Sequence, residues 1–314
     1  MNQMRRQMLR DHSSESKKQL LMARHRYASW LVRGNSPPLG EMPAETDIGL
    51  EIGEWDLPEI DRDQLTVEVM RKAILTHGAL LVRGLVDPER AGKFAAGIDA
   101  AYASRESRNG DDLYDPFLPE EPYGPIDEFR PWIEQSGGLL AVDCPSLHAE
   151  MLEFFIESGL DRVANSYLGG PAVISAHKTT LRKVQPGTTP GWHQDGAFMG
   201  EVRSLNLWLA LSRCGDIAPG MDVLPRRLDE FVETGGEGTA VANQVSQEDA
   251  EKAAEAAGCE IVRPVFNPGD ALIFDEMFLH ATAADGPMTK PRYAIESWFF
   301  TPAALPPGYV PVAI

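Results

Sequence analysis

Ser204-Leu205-Asn206-Leu207-Trp208-Leu209-Ala210-Leu211 alternates without a break, with leucine at every odd position and polar, aromatic or small residues at the even ones. A period of two is that of a β-strand, whose successive side chains point to opposite faces. The leucine face predicts an apolar layer behind the strand, and Asn206, Trp208 and Ala210 predict a cavity wall in front of it. Working outward, the period stays near two over 172–184, 260–265, 271–274 and 293–300. Pro186-Gly187, Pro219-Gly220 and Pro268-Gly269 mark turns between these runs. Helical patterns dominate the earlier chain: 17–32, 65–78 behind an Asp61/Gln64 cap, a helix opened by Asp87-Pro88, and 146–168. A short buried strand is predicted at 79–82 and a helical insertion at 247–257. Helices loaded before many short strands do not describe repeated βαβ units. They predict a mainly β protein with supporting helices, an antiparallel barrel or jelly roll.

The predicted organisation is an N-terminal arm over 1–60 and a single domain over 61–314, with an insertion at 212–259. Residues 104–138 lack clear periodicity and interleave acids and prolines with Tyr114, Phe117, Tyr123, Phe129 and Trp132. That combination predicts a cover over a pocket. With 29 Lys and Arg against 47 Asp and Glu, the net charge is -18, which argues against a broad nucleic-acid face. Residues 1–33 run the other way, with eight basic residues against Asp11 and Glu15, and are expected to clamp a helix onto the acidic body. Cys144, Cys214 and Cys259 lie far apart without a CxxC spacing, so a reducing compartment, the cytoplasm, is the expectation. No run approaches the roughly 20 apolar residues of a membrane span. A monomer or homodimer is the base-rate expectation.

The chemistry is concentrated in Gly191-Trp192-His193-Gln194-Asp195-Gly196. On an extended backbone His193 and Asp195 share a face, so an imidazole and a carboxylate can reach one metal ion. An HxD alone is a weak signal. It gains weight from Asn267-Pro268-Gly269-Asp270, the strand after it, His280, and Arg292 twelve residues further on. Two histidines and one carboxylate leave three adjacent positions open, which suits non-haem Fe(II) oxygen chemistry.

These residues stand in motifs that resemble the phytanoyl-CoA dioxygenase-like branch of the Fe(II)/2-oxoglutarate oxygenases: GWHQDGAF at 191–198, LNLWLAL at 205–211, NPGDALIFDEMFLH at 267–280 and RYAIESWFF at 292–300. GALLVRGLVDPE at 78–89 resembles the family's strand-helix opening. The resemblance implies a cupin-like double-stranded β-helix, with His193, Asp195 and His280 as iron ligands and Arg292 as the 2-oxoglutarate anchor. Trp208, Asn206 and Thr180 are further candidates for the cosubstrate pocket, and His177 and Glu296 for the substrate. Asp275 and Glu276 are candidates for orienting His280, or else acidic loop residues, and His148 is expected to be structural. The implied reaction consumes O2 and 2-oxoglutarate, releases succinate and CO2, and hydroxylates a small or medium organic metabolite. Desaturation or cyclisation on the same site, a Zn-dependent isomerase or hydrolase, and a non-catalytic metabolite-binding domain are the alternatives.

Overall fold

The computed structural model describes residues 13–38, 40, 44, 47–107, 113–187, 191–199, 202–236, 239, 243–283 and 286–314. In chain order the elements are α1 (Ser14–Trp30), β1 (Glu59–Asp61), α2 (Val67–His77), β2 (Ala79–Arg83), α3 (Pro88–Ser107), α4 (Phe129–Gln135) and β3 (Gly138–Leu140). There follow α5 (Pro145–Glu157), α6 (Leu160–Leu168), β4 (Val173–Ser175), β5 (Thr180–Val184), α7 (Gly196–Met199), β6 (Ser204–Ala210) and β7 (Gly220–Val223). The last are α8 (Gln247–Ala256), β8 (Ala271–Phe274), β9 (His280–Ala283), β10 (Arg292–Phe300) and β11 (Pro311–Ala313).

The strands build a jelly roll. Its larger sheet runs β1-β2-β8-β6-β10-β4-β11, with β5 also paired to β10 and β3 to β5, and β7 and β9 form the smaller one. Register places Trp208 opposite both Leu272 and Glu296, and Asn206 opposite Phe274 and Trp298. One face of the large sheet therefore gathers Asn206, Trp208, Glu296 and Arg292. Leu205, Leu207, Leu209, Ile273 and Ile295 belong to the opposite face and join the main apolar core with Phe94, Met151 and Phe155 of the helices. The alternation in 204–211 is thus the boundary between helical layer and cavity.

Several elements differ from expectation for local reasons. The Asp61/Gln64 pair closes a 3-10 turn at Arg62–Gln64, where Asp61 N–H donates to Gln64 Oε1 at 2.8 Å. Helix α2 is capped instead by Thr66, whose hydroxyl accepts from Val69 N–H. The span 146–168 is two helices, broken where Gly159 takes φ +78°. The span 172–184 is likewise two strands, β4 and β5. Residues 260–265 form no strand: Val262 bridges Val223 singly, and Pro264 has no N–H with which to extend a ladder. The turn at Gly269 is one only glycine serves, since φ is +95° and a Cβ would lie 2.0 Å from the Val86 carbonyl oxygen.

The arm and the cover also need redrawing. Helix α1 is packed into the body: Leu20, Leu21 and Ala28 are buried, and Arg24 donates to the Ala313 carbonyl at 3.0 Å. Lys18 and Arg26 pair with Asp115 and Glu120, so charge supplements apolar burial there. Within 104–138, α3 extends to Ser107, and α4 and the start of β3 occupy the end; residues 108–112 lie outside the described residues. Tyr114, Phe117 and Tyr123 pack on the main core, not over the cavity. The 212–259 span contributes β7 to the smaller sheet, and is more than an insertion.

His148 of α5 is buried with no partner for Nε2, and burial brings its pKa down to about 3, with Arg24 adding to the shift. The folded state keeps this imidazole neutral where the unfolded chain protonates below about 6.5. Its share of stability is therefore present above that pH and lost as pH falls toward about 3. Replacing it in His148→Gln should flatten the stability-pH curve between pH 6 and 4 by about 1.4 kcal/mol per pH unit, one proton's worth. Urea unfolding at several pH values reads this directly. Parallel curves for the two proteins would show that His148 protonates freely when folded.

Candidate metal centre and cosubstrate pocket

The two histidines arrive from distant chain segments and are joined by the backbone. His193 N–H donates to the His280 carbonyl at 3.0 Å, and His280 N–H returns the bond to His193 at 3.1 Å. This reciprocal pair fixes the start of β9 against the HxD segment. The imidazole centroids lie 4.3 Å apart. Each ring uses Nδ1 on a main-chain oxygen two residues earlier: His193 on Gly191 at 2.7 Å, and His280 on Phe278 at 3.0 Å. A carbonyl can only accept, so Nδ1 carries the proton and Nε2 bears the lone pair, the form in which an imidazole ligates a metal. Burial lowers both pKa values, that of His280 strongly, which keeps the rings in the neutral, ligating form.

Asp195 completes the group. Its Oδ1 lies 3.6 Å from His193 Nε2, and one ligand atom from each of the three side chains falls within 4.8 Å of the others. The side chain of Asn206 donates to Asp195 Oδ2, while Asp195 Oδ1 is buried with no hydrogen-bond partner. Burial pushes the Asp195 pKa up to about 8, against the opposing pull of Lys178. A buried, half-satisfied carboxylate beside two neutral imidazoles is a poor arrangement alone and a good one for a divalent cation. Gln194 and Trp192 point elsewhere and hold the segment in place. Gln194 donates to the Met277 carbonyl at 2.8 Å and accepts from Val232 N–H at 2.8 Å, and the Trp192 indole donates to Gln247.

Arg292 opens β10 on the same face and is 1 % exposed. Its Nη1 donates to the Gly220 carbonyl at 3.2 Å, but Nε and Nη2 are buried without partners, and Glu296 is 3.8 Å from Nη2. Burial brings its pKa down to about 10, so it remains a cation at neutral pH. A buried guanidinium with two unused donors fits a planar carboxylate. Trp208 supplies a wall for it, with the Arg292 guanidinium carbon 5.4 Å from the indole centroid. Asn206, expected beside the cosubstrate, is turned instead to Asp195. Thr180 donates to Glu296 at 3.2 Å, and Glu296 also stands 3.2 Å from Arg182 Nε.

His193, Asp195, His280, Arg292, Trp208, Thr180 and Glu296 line one cavity of about 310 Å³. His177 borders it and is held in place, with Nδ1 accepting from Val310 N–H at 3.2 Å and Phe129 edge-on at 4.4 Å. Burial brings its pKa down to about 4. Of the 104–138 aromatics, Trp132 reaches the cavity wall. Asp275 and Glu276 do not orient His280. Asp275 pairs with Arg227, and Glu276 accepts from the Ser204 N–H and hydroxyl at 3.1 Å each. Two lining cations escaped the sequence reading. Arg182 follows Thr180 by two and pairs with Ala294 across β5 and β10, so strand parity points to it. Lys178 sits in the turn before β5, where no periodicity assigns a direction.

The sequence model of the family described as Phytanoyl-CoA dioxygenase (PhyH) matches residues 74–286. No curated protein matches the chain in sequence. Among solved structures, EctD from S. alaskensis with 2-oxoglutarate and 5-hydroxyectoine is 17% identical with a TM-score of 0.53, over 83% of this chain and 87% of that one. The non-heme alpha ketoglutarate dependent carbocyclase SnoK from nogalamycin biosynthesis is 15% identical with a TM-score of 0.52, over 77% and 86% respectively. At such identity these likenesses establish the shared fold.

Proposed function

Because this chain belongs to the phytanoyl-CoA dioxygenase (PhyH) family, we propose that it is an Fe(II)- and 2-oxoglutarate-dependent dioxygenase that hydroxylates a small or medium organic metabolite, with release of succinate and CO2. His193, Asp195 and His280 hold the iron, and Arg292 holds the far carboxylate of 2-oxoglutarate. The observation that carries this reading is the pairing of orphaned buried atoms around one cavity: Asp195 Oδ1 asks for a cation, and Arg292 Nε and Nη2 ask for an anion. Bound iron and 2-oxoglutarate together supply oxygen activation coupled to decarboxylation.

The protein's own contribution is placement. The carbonyls of Gly191 and Phe278 hold the imidazoles in one tautomer, and the Asn206 amide fixes the carboxylate, as outer partners of metal ligands do. Buried Arg292 keeps its charge and, walled by Trp208, sets the direction in which 2-oxoglutarate lies. His177 is held by Val310 at the cavity border and stays neutral. Retention of Asp195 as the carboxylate ligand leaves no place for a halide, so hydroxylation is favoured over halogenation. A Zn-dependent isomerase or hydrolase would leave the buried Arg292 cation without an employment, and a non-catalytic domain has no need of the preserved triad.

Anaerobic titration of the protein with Fe(II) and 2-oxoglutarate tests the reading. A metal-to-ligand charge-transfer band is expected only when both are present. Verified iron loading without that band would overturn the assignment. Under oxygen, a product heavier by one oxygen atom from labelled dioxygen supports hydroxylation, whereas loss of two hydrogens redirects the reading to desaturation or cyclisation.

A further inference from the structure

Arg292 and Glu296 share a face of β10 with Ala294 between them, so a guanidinium and a carboxylate on long side chains border one gap. They do not meet. Glu296 Oε1 stops 3.8 Å from Arg292 Nη2, which is buried without a hydrogen-bond partner, as is Nε. Burial lowers the Arg292 pKa and Glu296 is the largest pull against that shift, so the attraction is present. A buried guanidinium is stabilised by a bonded carboxylate, and closure of the gap must therefore be opposed.

The register of β5 against β10 supplies the opposition. Thr180 sits directly across from Glu296, and Arg182 directly across from Ala294. The Thr180 hydroxyl donates to Glu296 Oε2 at 3.2 Å, and Arg182 Nε stands 3.2 Å from Oε1, an ion pair without hydrogen-bond alignment. Arg182 is itself anchored: its Nη1 donates to the Ser136 hydroxyl at 2.8 Å, and that hydroxyl donates to the Ile133 carbonyl at 2.8 Å. Both oxygens of Glu296 are thus engaged from β5, and Oε1 lies nearer to Arg182 than to Arg292. Lys178 also attracts Glu296 and is unchanged in every variant below.

We propose that Thr180 and Arg182 are positioning residues for cosubstrate binding, which hold the Glu296 carboxylate off Arg292 so that Nε and Nη2 stay open to the far carboxylate of 2-oxoglutarate. The proposal deepens the oxygenase reading and rests on it for the placement of 2-oxoglutarate at Arg292. Released from β5, Glu296 closes on Nη2, and 2-oxoglutarate must then displace a carboxylate already in place. Apparent affinity falls with the fraction of molecules in which Arg292 is still open. Glu296 is an internal competitor, and β5 decides how often it competes.

The probe is labelled 2-oxoglutarate, measured by anaerobic equilibrium dialysis against the full chain loaded with Fe(II). Glu296→Gln, which keeps the shape and loses the charge, should bind it more tightly than the native protein. Thr180→Val should weaken binding about threefold, the scale of one neutral hydrogen bond. Arg182→Met should weaken it at least about tenfold, since its loss also removes a direct attraction for the dianion. Rescue is the deciding readout. Combined with Glu296→Gln, Thr180→Val should cost less than about 1.5-fold, and the Arg182→Met loss should shrink at least about threefold. A wall that had merely misfolded would not be repaired by a second substitution. Equal losses with and without Glu296→Gln would overturn the proposal, because Thr180 would then touch 2-oxoglutarate directly and Arg182 would act by charge alone. Weaker binding in Glu296→Gln by itself would also overturn it, since the carboxylate would be assisting. Arg292→Met in the same dialysis separates the two readings. Lost affinity there, with equal losses in the paired variants, removes the tether and keeps 2-oxoglutarate at Arg292; unchanged affinity removes both.

Discussion

Replacing Arg292 by methionine is expected to weaken 2-oxoglutarate binding by at least about 100-fold, since breaking a buried ion pair from one side costs roughly 3–5 kcal/mol. Iron affinity measured without 2-oxoglutarate should change little, because Arg292 offers no ligand atom to the triad. The cation is 1 % exposed and uses one donor on Gly220, so its remaining donors have been withdrawn from water without compensation. The same fact predicts an opposite effect on stability. With no ligand present, Arg292→Met removes an incompletely paired buried charge and should melt at a higher temperature than the native protein. Arg292→Lys should not rescue binding fully, because a compact ammonium cannot reproduce the planar fork. Anaerobic equilibrium dialysis with labelled 2-oxoglutarate measures the first effect and a thermal melt the second. Unchanged 2-oxoglutarate affinity in Arg292→Met would remove Arg292 from its role.

Much of this geometry could be read from alternation alone. The strict period of 204–211 told the leucine face from the Asn206/Trp208 face, and the register with β8 and β10 carries that division across the sheet. His193 and Asp195 were legible as a same-side pair, and His280 and Arg292 by their motif. Periodicity is silent on what decides partners in space. Nothing local says that Asn206 turns to Asp195 and not toward 2-oxoglutarate, because both lie before the same face. The orienting role weighed for Asp275 and Glu276 failed because carbonyls hold both imidazoles, and any residue type supplies a carbonyl. A turn has no period, so nothing in the sequence aims Lys178, and the alternation over 260–265 does not become a strand because Pro264 has no N–H to extend a ladder. The aromatic stretch was divided by tertiary packing: Phe117 sank into the helical core, while Trp132 reached the cavity from α4.

The triad itself should respond to substitution in two distinct grades. His280→Ala removes one of three proposed ligands and should lower iron-dependent decarboxylation of 2-oxoglutarate to background, a loss of at least about 1000-fold, as expected when an interaction the chemistry depends on is deleted outright. The fold should survive, because the reciprocal bonds between His193 and His280 are made by main-chain atoms that alanine keeps. Asn206→Leu should act more gently. It leaves all three ligands and removes the amide that donates to Asp195, a change that typically costs 10–100-fold in metal affinity. Raising the iron concentration should then recover much of the activity in Asn206→Leu and none in His280→Ala. The contrast depends on the two roles being different, one side chain touching the metal and the other holding the side chain that does. Paired measurements of bound iron and succinate release across an iron titration would show it. If His280→Ala retained normal iron content and turnover, the two chain segments joined at that backbone pair would not be building a metal centre.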